Sequence, residues 1–178
     1  DFDGDGEADV FRTDGTRWHW SRSGRGAWAI LDTSATTLAS LAFGDFDADG
    51  RADVFRATGT EWQVSYGGAS PFTRINTSSA TLGALAFGDF NGDGRTDVLR
   101  TTGTEWQISR GGAGSWTRIH TSSVTLASLA IGDFDGDGKP EVAAGTCFSQ
   151  IHFYTADGAP TSIRWACTRQ WASVDVLA

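Results

Sequence analysis

Short stretches of alternating apolar and polar residues, separated by glycine-rich and acidic turns, run along the chain. Trp62, Val64 and Tyr66 fall on one side of an extended segment, and Glu61, Gln63 and Ser65 on the other. That is the period of two that defines a half-buried strand. The small apolar run Leu82–Phe87 has the composition of a strand buried on both faces. An acidic loop follows it, then Asp97-Val98-Leu99-Arg100, which predicts a second strand ending at a turn over Thr102-Gly103. Gly67-Gly68 and Gly111-Gly112 make the next turn, and Phe72-Thr73-Arg74-Ile75 with its counterparts predicts a further strand. No window sustains a 3.6-residue apolar period, so no helix is expected.

These elements recur at a fixed interval. Asp1-Phe2-Asp3-Gly4-Asp5-Gly6-Glu7-Ala8-Asp9-Val10-Phe11-Arg12 returns at Asp45–Arg56, at Asp89–Arg100 and, diverged, from Asp133 through Glu141-Val142. The starting aspartates 1, 45, 89 and 133 are 44 residues apart. Trp18, Trp62 and Trp106 keep the same step, as do Trp28, Phe72 and Trp116, and Leu41, Leu85 and Leu129. Four antiparallel strands in about 40–45 residues are a propeller blade. The expected fold is therefore all-β: a β-propeller of four 44-residue, four-stranded antiparallel blades spanning 1–178, complete in itself or part of a larger ring. The first repeat lacks the apolar strand that precedes the loop elsewhere, and 172–178 has the pattern of a strand that could complete it head to tail. Two copies joining as half-rings would be a homodimeric alternative.

In the fourth repeat, strands are expected at Ile151–Tyr154 and Ser162–Trp165, joined across Asp157-Gly158. In such a meander, Cys147 and Cys167 fall on one edge of the blade, which permits a disulfide and with it an oxidising, extracellular setting. Two unrelated buried thiols are the alternative.

Composition changes the picture at one point. The net charge of −8 suggests an acidic surface, but of the 22 Asp and Glu residues fifteen occupy positions 1, 3, 5 or 9 of the four loops. Four divalent cations would cancel the charge. There is no basic face for nucleic acid and no apolar run of the ~20 residues a spanning helix needs. With no Met even at position 1, the chain reads as a processed or excised product.

A loop Asp-x-Asp-x-Asp-Gly-x-x-Asp concentrates hard oxygen ligands at positions 1, 3, 5 and 9, with the position-7 carbonyl available as another. The candidate metal sets are Asp1, Asp3, Asp5, Glu7 and Asp9; Asp45, Asp47, Asp49, Arg51 and Asp53; Asp89, Asn91, Asp93, Arg95 and Asp97; and Asp133, Asp135, Asp137, Lys139 and Glu141. Glu7, Arg51, Arg95 and Lys139 enter through their carbonyls. Calcium takes six to eight oxygens in flexible geometry, whereas zinc would want His or Cys. Two carboxylates ~4 Å apart without a cation repel by roughly 4 kcal/mol at an effective dielectric of 20. An EF-hand would need an acidic ligand at position 12 and a helix after it. Here position 12 is Arg12, Arg56, Arg100 and Ala144, and strand-like sequence follows.

Together with Phe43-Gly44, Phe87-Gly88 and Ile131-Gly132 just before them, these loops resemble FG-GAP/VCBS repeats, the calcium-loop propellers of integrin alpha-chain heads and many secreted bacterial proteins. The resemblance implies a propeller holding about four Ca2+ ions, one per repeat. Family rings commonly have seven blades. The tandem tryptophans and Gly-Gly turns are also similar, more weakly, to those of FG-GAP-type propeller lectins.

The functional expectation is a secreted, calcium-stabilised recognition module that binds carbohydrate, with Trp18, Trp62 and Trp106 as stacking platforms for sugar rings. Its alternative is a protein-interaction or spacer module of a larger secreted or surface protein. The expected partner is a glycan or an extracellular protein, with no nucleic acid and no membrane insertion. Catalysis is not expected: His19, His120 and His152 share no register, and no Gly-x-Ser-x-Gly elbow occurs.

Overall fold

The computed structural model describes residues 1–146, 149–154 and 160–161. The expected cysteine pair, the strand at Ser162–Trp165, the Asp157-Gly158 turn and the closing strand at 172–178 lie outside the described residues.

Alternation makes strands and acidic or glycine-rich segments break them, so four antiparallel meanders follow one another along the chain. The first sheet is β1 (Val10–Thr13), β2 (Trp18–Ser21) and β3 (Ala29–Asp32). The second is β4 (Ala42–Gly44), β5 (Asp53–Ala57), β6 (Glu61–Ser65) and β7 (Thr73–Thr77). The third is β8 (Ala86–Gly88), β9 (Asp97–Thr101), β10 (Glu105–Ser109) and β11 (Trp116–Thr121). The fourth is β12 (Leu129–Gly132), β13 (Glu141–Thr146), β14 (Ser149–Tyr154) and β15 (Pro160–Thr161). The chain is thus all-β, and no α-helix occurs among the described residues.

Three details differ from the sequence expectation. Leu82–Phe87 is not one strand: Leu82–Ala84 forms a 3-10 turn, and only Ala86–Gly88 pairs with β9. The reason is burial. Leu85 faces the core while Gly83 and Ala84 face solvent, so nothing holds the front of the run extended. Each Gly-Gly segment likewise closes as a 3-10 turn with a left-handed residue inside it. Finally, among the described residues the sheets are present but are not closed into a ring. Among the described residues the first sheet has three strands, and its Val10 is 46% exposed, whereas the counterparts Val54, Val98 and Val142 are fully buried.

The core lies between sheets. Trp18, Trp62 and Trp106 occupy one register of β2, β6 and β10, and each is 0% exposed. Each indole Nε1–H donates to a backbone carbonyl eighteen residues on, of Thr36, Ala80 and Val124 at 2.9, 3.0 and 2.9 Å. That satisfies the one polar atom a buried indole carries. Trp18 meets Phe72 of the second sheet edge-on at 5.8 Å, and Trp62 meets Trp116 of the third at 5.5 Å. A guanidinium also stacks on each of these rings: Arg56 over Phe72 at 3.7 Å and Arg100 over Trp116 at 3.9 Å.

An aliphatic knob accompanies each tryptophan. Leu31 reaches so close to Gly68 that a Cβ there would come within 2.6 Å of its Cδ2, and Ile75 stands 2.9 Å from the same point at Gly112.

Candidate metal-binding loops

Each acidic loop is built around its first carboxylate; the first leads into β1, and the other three join the first and second strands of their sheets. Asp1 accepts the amides of Gly4 and Gly6 at 2.6 and 2.7 Å, and Asp45 those of Ala48 and Gly50 at 2.6 and 2.8 Å. Asp89 accepts from Gly92 and Gly94, both at 2.8 Å, and Asp133 from Gly136 and Gly138 at 2.7 and 2.9 Å. Positions 4 and 6 must be left-handed for these amides to point inward, and Ala48 adopts φ 66° in the one loop without glycine at position 4. The position-5 carboxylate accepts the amide of position 7 in every copy, so Glu7, Arg51, Arg95 and Lys139 close the turn with their N–H groups.

Three loops bring carboxylate oxygens within 4.8 Å of one another: Asp1, Asp3 and Asp5; Asp45, Asp47 and Asp53; and Asp133, Asp135, Asp137 and Glu141. The third loop, with neutral Asn91 at position 3, forms no such acidic group; Asn91 donates to Asp93 instead at 3.1 Å. Asp49 lies outside its group, as does Asp9.

Position 9 does something the spacing did not reveal. In the first three loops its carboxylate ties the loop to a turn fourteen residues on. Asp9 accepts the amides of Phe2 and Ser23 at 2.6 and 2.9 Å, and Asp53 those of Phe46 and Gly67 at 2.8 and 2.7 Å. Asp97 takes Gly111 at 2.7 Å, and Glu141 takes Phe134 at 2.8 Å. Glu141, with its longer side chain, still reaches the cluster from position 9. The repeated interval from Asp53 to Gly67 and from Asp97 to Gly111 was the available signal.

Burial raises the proton affinity of these groups. Asp53 and Asp97 are fully buried and are pushed up to about 6. Burial pushes Glu141 up as well, and Asp47 rises through burial and the neighbouring Asp49 charge. Asp97 Oδ2 and Glu141 Oε1 are buried without a hydrogen-bond partner. A buried anionic oxygen lacking a donor is unfavourable, and a divalent cation is a fitting counterpart for it. The donor set, all carboxylate and amide oxygen, fits calcium.

The first loop carries an internal cation. Arg22 Nε lies 2.9 Å from both Asp3 Oδ2 and Asp5 Oδ2. The Glu7 amide, with help from Arg22, holds the Asp5 carboxyl below its ordinary range.

Successive loops are also fastened to each other. Ala52 donates its amide to the Asp1 carbonyl and Thr96 to the Asp45 carbonyl. Side chains pack into the same corner: Thr96 lies against Gly44 and Pro140 against Gly88, so that a Cβ at Gly88 would stand 2.9 Å from Pro140 Cγ.

Burial corrects the proposed sugar platforms. Trp18, Trp62 and Trp106 have no exposed ring face and serve as inter-sheet core. Of the aromatic rings at the other register, Trp28 is 43% exposed, with Arg12 stacked over it at 4.2 Å.

The FG-GAP-like repeat family matches residues 1–56 and 89–144, and the chain belongs to that family. Among solved structures it is similar to the Photorhabdus luminescens Tc holotoxin pore, with a TM-score of 0.60 and 18% identity over 93% of this chain. It is also similar to the V. cholerae biofilm matrix protein Bap1, with a TM-score of 0.43 and 19% identity over 90% of this chain. The chain spans 9% of the first of these and 28% of the second. No curated protein sequence matches. None of the described helical turns is long and apolar enough to cross a membrane.

Proposed function

We propose that this chain is a calcium-stabilised interaction module of a larger extracellular protein, in which loop-bound cations hold the corners of successive sheets. The observation that carries this reading is the buried, unpartnered carboxylate oxygen of Glu141 in a loop whose Asp133, Asp135, Asp137 and Glu141 oxygens lie within 4.8 Å of one another. With a dissociation constant of ~10⁻⁴ M per site, millimolar calcium would contribute about 1.4 kcal/mol per site, or roughly 6 kcal/mol over four. Set against whole-domain stabilities of ~5–15 kcal/mol, that decides whether the sheets remain docked. The chain offers surfaces rather than a reaction centre, and no catalytic role is assigned to it.

The test is thermal unfolding in millimolar calcium and after chelation. A fall of more than about 10 °C is expected on chelation, since roughly 2–4 °C accompanies each kcal/mol in a chain of this size. An unchanged melting curve would remove calcium from the account.

Carbohydrate binding is the second reading, and exposed Trp28 is the observation that favours it. Glycan-array binding in calcium buffer that disappears in Trp28→Ala would promote it; an array without hits would retire it.

A further inference from the structure

Position 3 of the acidic loops is aspartate at Asp3, Asp47 and Asp135 and asparagine only at Asn91. The chain holds two asparagines, Asn76 followed by Thr77 and Asn91 followed by Gly92. Before glycine, the next backbone nitrogen reaches an asparagine side chain most freely, because no Cβ obstructs the approach. The third loop adds the rest of the chemistry. The Gly92 N–H donates to Asp89 Oδ1 at 2.8 Å, so the nucleophile already rests on a base. Asn91 Oδ1 accepts the Asp93 amide at 2.8 Å. That bond curls the side chain forward over the Gly92 peptide and supplies a donor to the oxygen on which charge develops. Asn91 Nδ2 donates to Asp93 Oδ2 at 3.1 Å, which holds the leaving nitrogen as well. Gly92 is left-handed at φ 76°, and a Cβ on it would come 2.5 Å from Lys139 Cε, so the fold keeps glycine at this place. Asn76 has none of this. Its Nδ2 donates to the Gly112 carbonyl at 3.0 Å, and the Thr77 N–H faces Asn76 Oδ1 at 2.8 Å instead of a carboxylate.

We infer that Asn91 is a self-modification site: its amide cyclises onto Gly92 and hydrolyses to aspartate, giving the third loop the carboxylate that its relatives carry at position 3. In the first step the Gly92 nitrogen bonds to Asn91 Cγ and the Cγ–Nδ2 bond breaks. The proton lost from the Gly92 nitrogen leaves with Nδ2 as ammonia. In the second step water opens the cyclic imide. Cleavage of the new N–Cγ bond leaves aspartate; cleavage of the original peptide bond leaves isoaspartate, with the main chain rerouted through Cβ and Cγ. Water is the only co-reactant. The aspartate product adds a negative charge to a loop that already holds Asp89, Asp93 and Asp97, where Asp97 Oδ2 is buried without a partner. Ligand charge count tunes calcium affinity, so the one loop that forms no acidic group gains cation affinity as the protein ages. That consequence rests on the calcium reading, whereas the bond chemistry does not.

The test ages the full chain, freed of metal, at mildly alkaline pH and follows the tryptic peptide 75–95, which carries both asparagines. Fragment masses should place the gain of a single mass unit, ammonia lost and water taken up, at Asn91 and not at Asn76. The folded chain should convert at least about tenfold faster than the same chain unfolded in guanidinium chloride, since only the fold holds Asp89 and the Asp93 amide in place. Asn91→Gln, which would have to close a larger ring, should not convert over the same time. Asn91→Asp, the product made directly, should bind calcium at the third loop about tenfold more tightly than the parent in titration calorimetry. Conversion that is equal or faster in the unfolded chain, or that proceeds equally at Asn76, overturns the modification. Parental calcium affinity in Asn91→Asp overturns its consequence. The mass readout needs no metal, so an unchanged melting curve on chelation would sink the calcium reading while the conversion of Asn91 stands or falls alone.

Discussion

Gly67 and Gly68 form a matched pair for testing how the sheets interlock. Both are left-handed, at φ 59° and 68°. Alanine at either position therefore costs about 1–2 kcal/mol of backbone strain. Their surroundings differ. A Cβ on Gly67 meets nothing within 4 Å, whereas one on Gly68 would come 2.6 Å from Leu31 Cδ2 and 3.1 Å from Val54 Cγ2. Relieving that overlap means withdrawing Leu31 from its slot, and overpacking of this kind costs typically 1–3 kcal/mol. Gly67→Ala should then lose about 1–2 kcal/mol and Gly68→Ala about 2–5 kcal/mol. In melting temperature, each kcal/mol of that difference appears as roughly 2–4 °C. The assay is thermal and urea unfolding of both variants, each alone and combined with Leu31→Ala. Truncating Leu31 empties the contested space, so the Gly68→Ala pair should be less destabilised than the sum of its singles by about 1–3 kcal/mol, while the Gly67→Ala pair adds. Equal losses for the two alanines, or additivity in both pairs, would refute the interlocking of Leu31 with Gly68.

Two other outcomes follow from the loops. Because burial raises Asp53 and Asp97 to about 6, against an ordinary value near 4, the folded metal-free chain holds their protons more tightly than the unfolded chain does. The sign is therefore the reverse of the usual carboxylate case: this stabilisation is present at low pH and is lost as pH rises through about 6, by up to roughly 3 kcal/mol per group. After metal removal, calorimetry should show a lower melting temperature at pH 7 than at pH 5, and calcium should flatten or invert the trend; a rise from pH 5 to 7 without metal would contradict it. Arg22→Ala, which frees Asp3 and Asp5, should raise calcium affinity at the first loop about fivefold in titration calorimetry, and unchanged affinity would mean the guanidinium does not compete there.

Much of this fold was legible because its signals are local. The 44-residue step, the alternation in Glu61–Tyr66 and the glycine at position 6 each follow from backbone geometry that only a few residue types satisfy. The side of the sheet on which Trp62 lies was legible too, but not what it meets. A tryptophan buried between two sheets and one stacked on a ligand give the same alternation, and only the placement of Trp116 from the next repeat separates them. The dual role of position 9 was hidden for a similar reason. Asp53 reads as one more loop acid until the Gly67 amide is seen 2.7 Å away. The exposure of Val10 was invisible because it is identical in sequence to Val54, and its exposure depends on a neighbour rather than on itself.

One substitution near the end of the series has a mechanical consequence. The amides of Ala52 and Thr96 tether each corner to the carbonyl of the corner before it, but residue 140 is proline and has no N–H to give. At that junction side-chain packing stands in place of the tether, the ring of Pro140 against Gly88 and the stem of Lys139 against Gly92. Under a pulling force the seam between the third and fourth sheets is accordingly the one with a missing stitch, and it should part before the two that precede it.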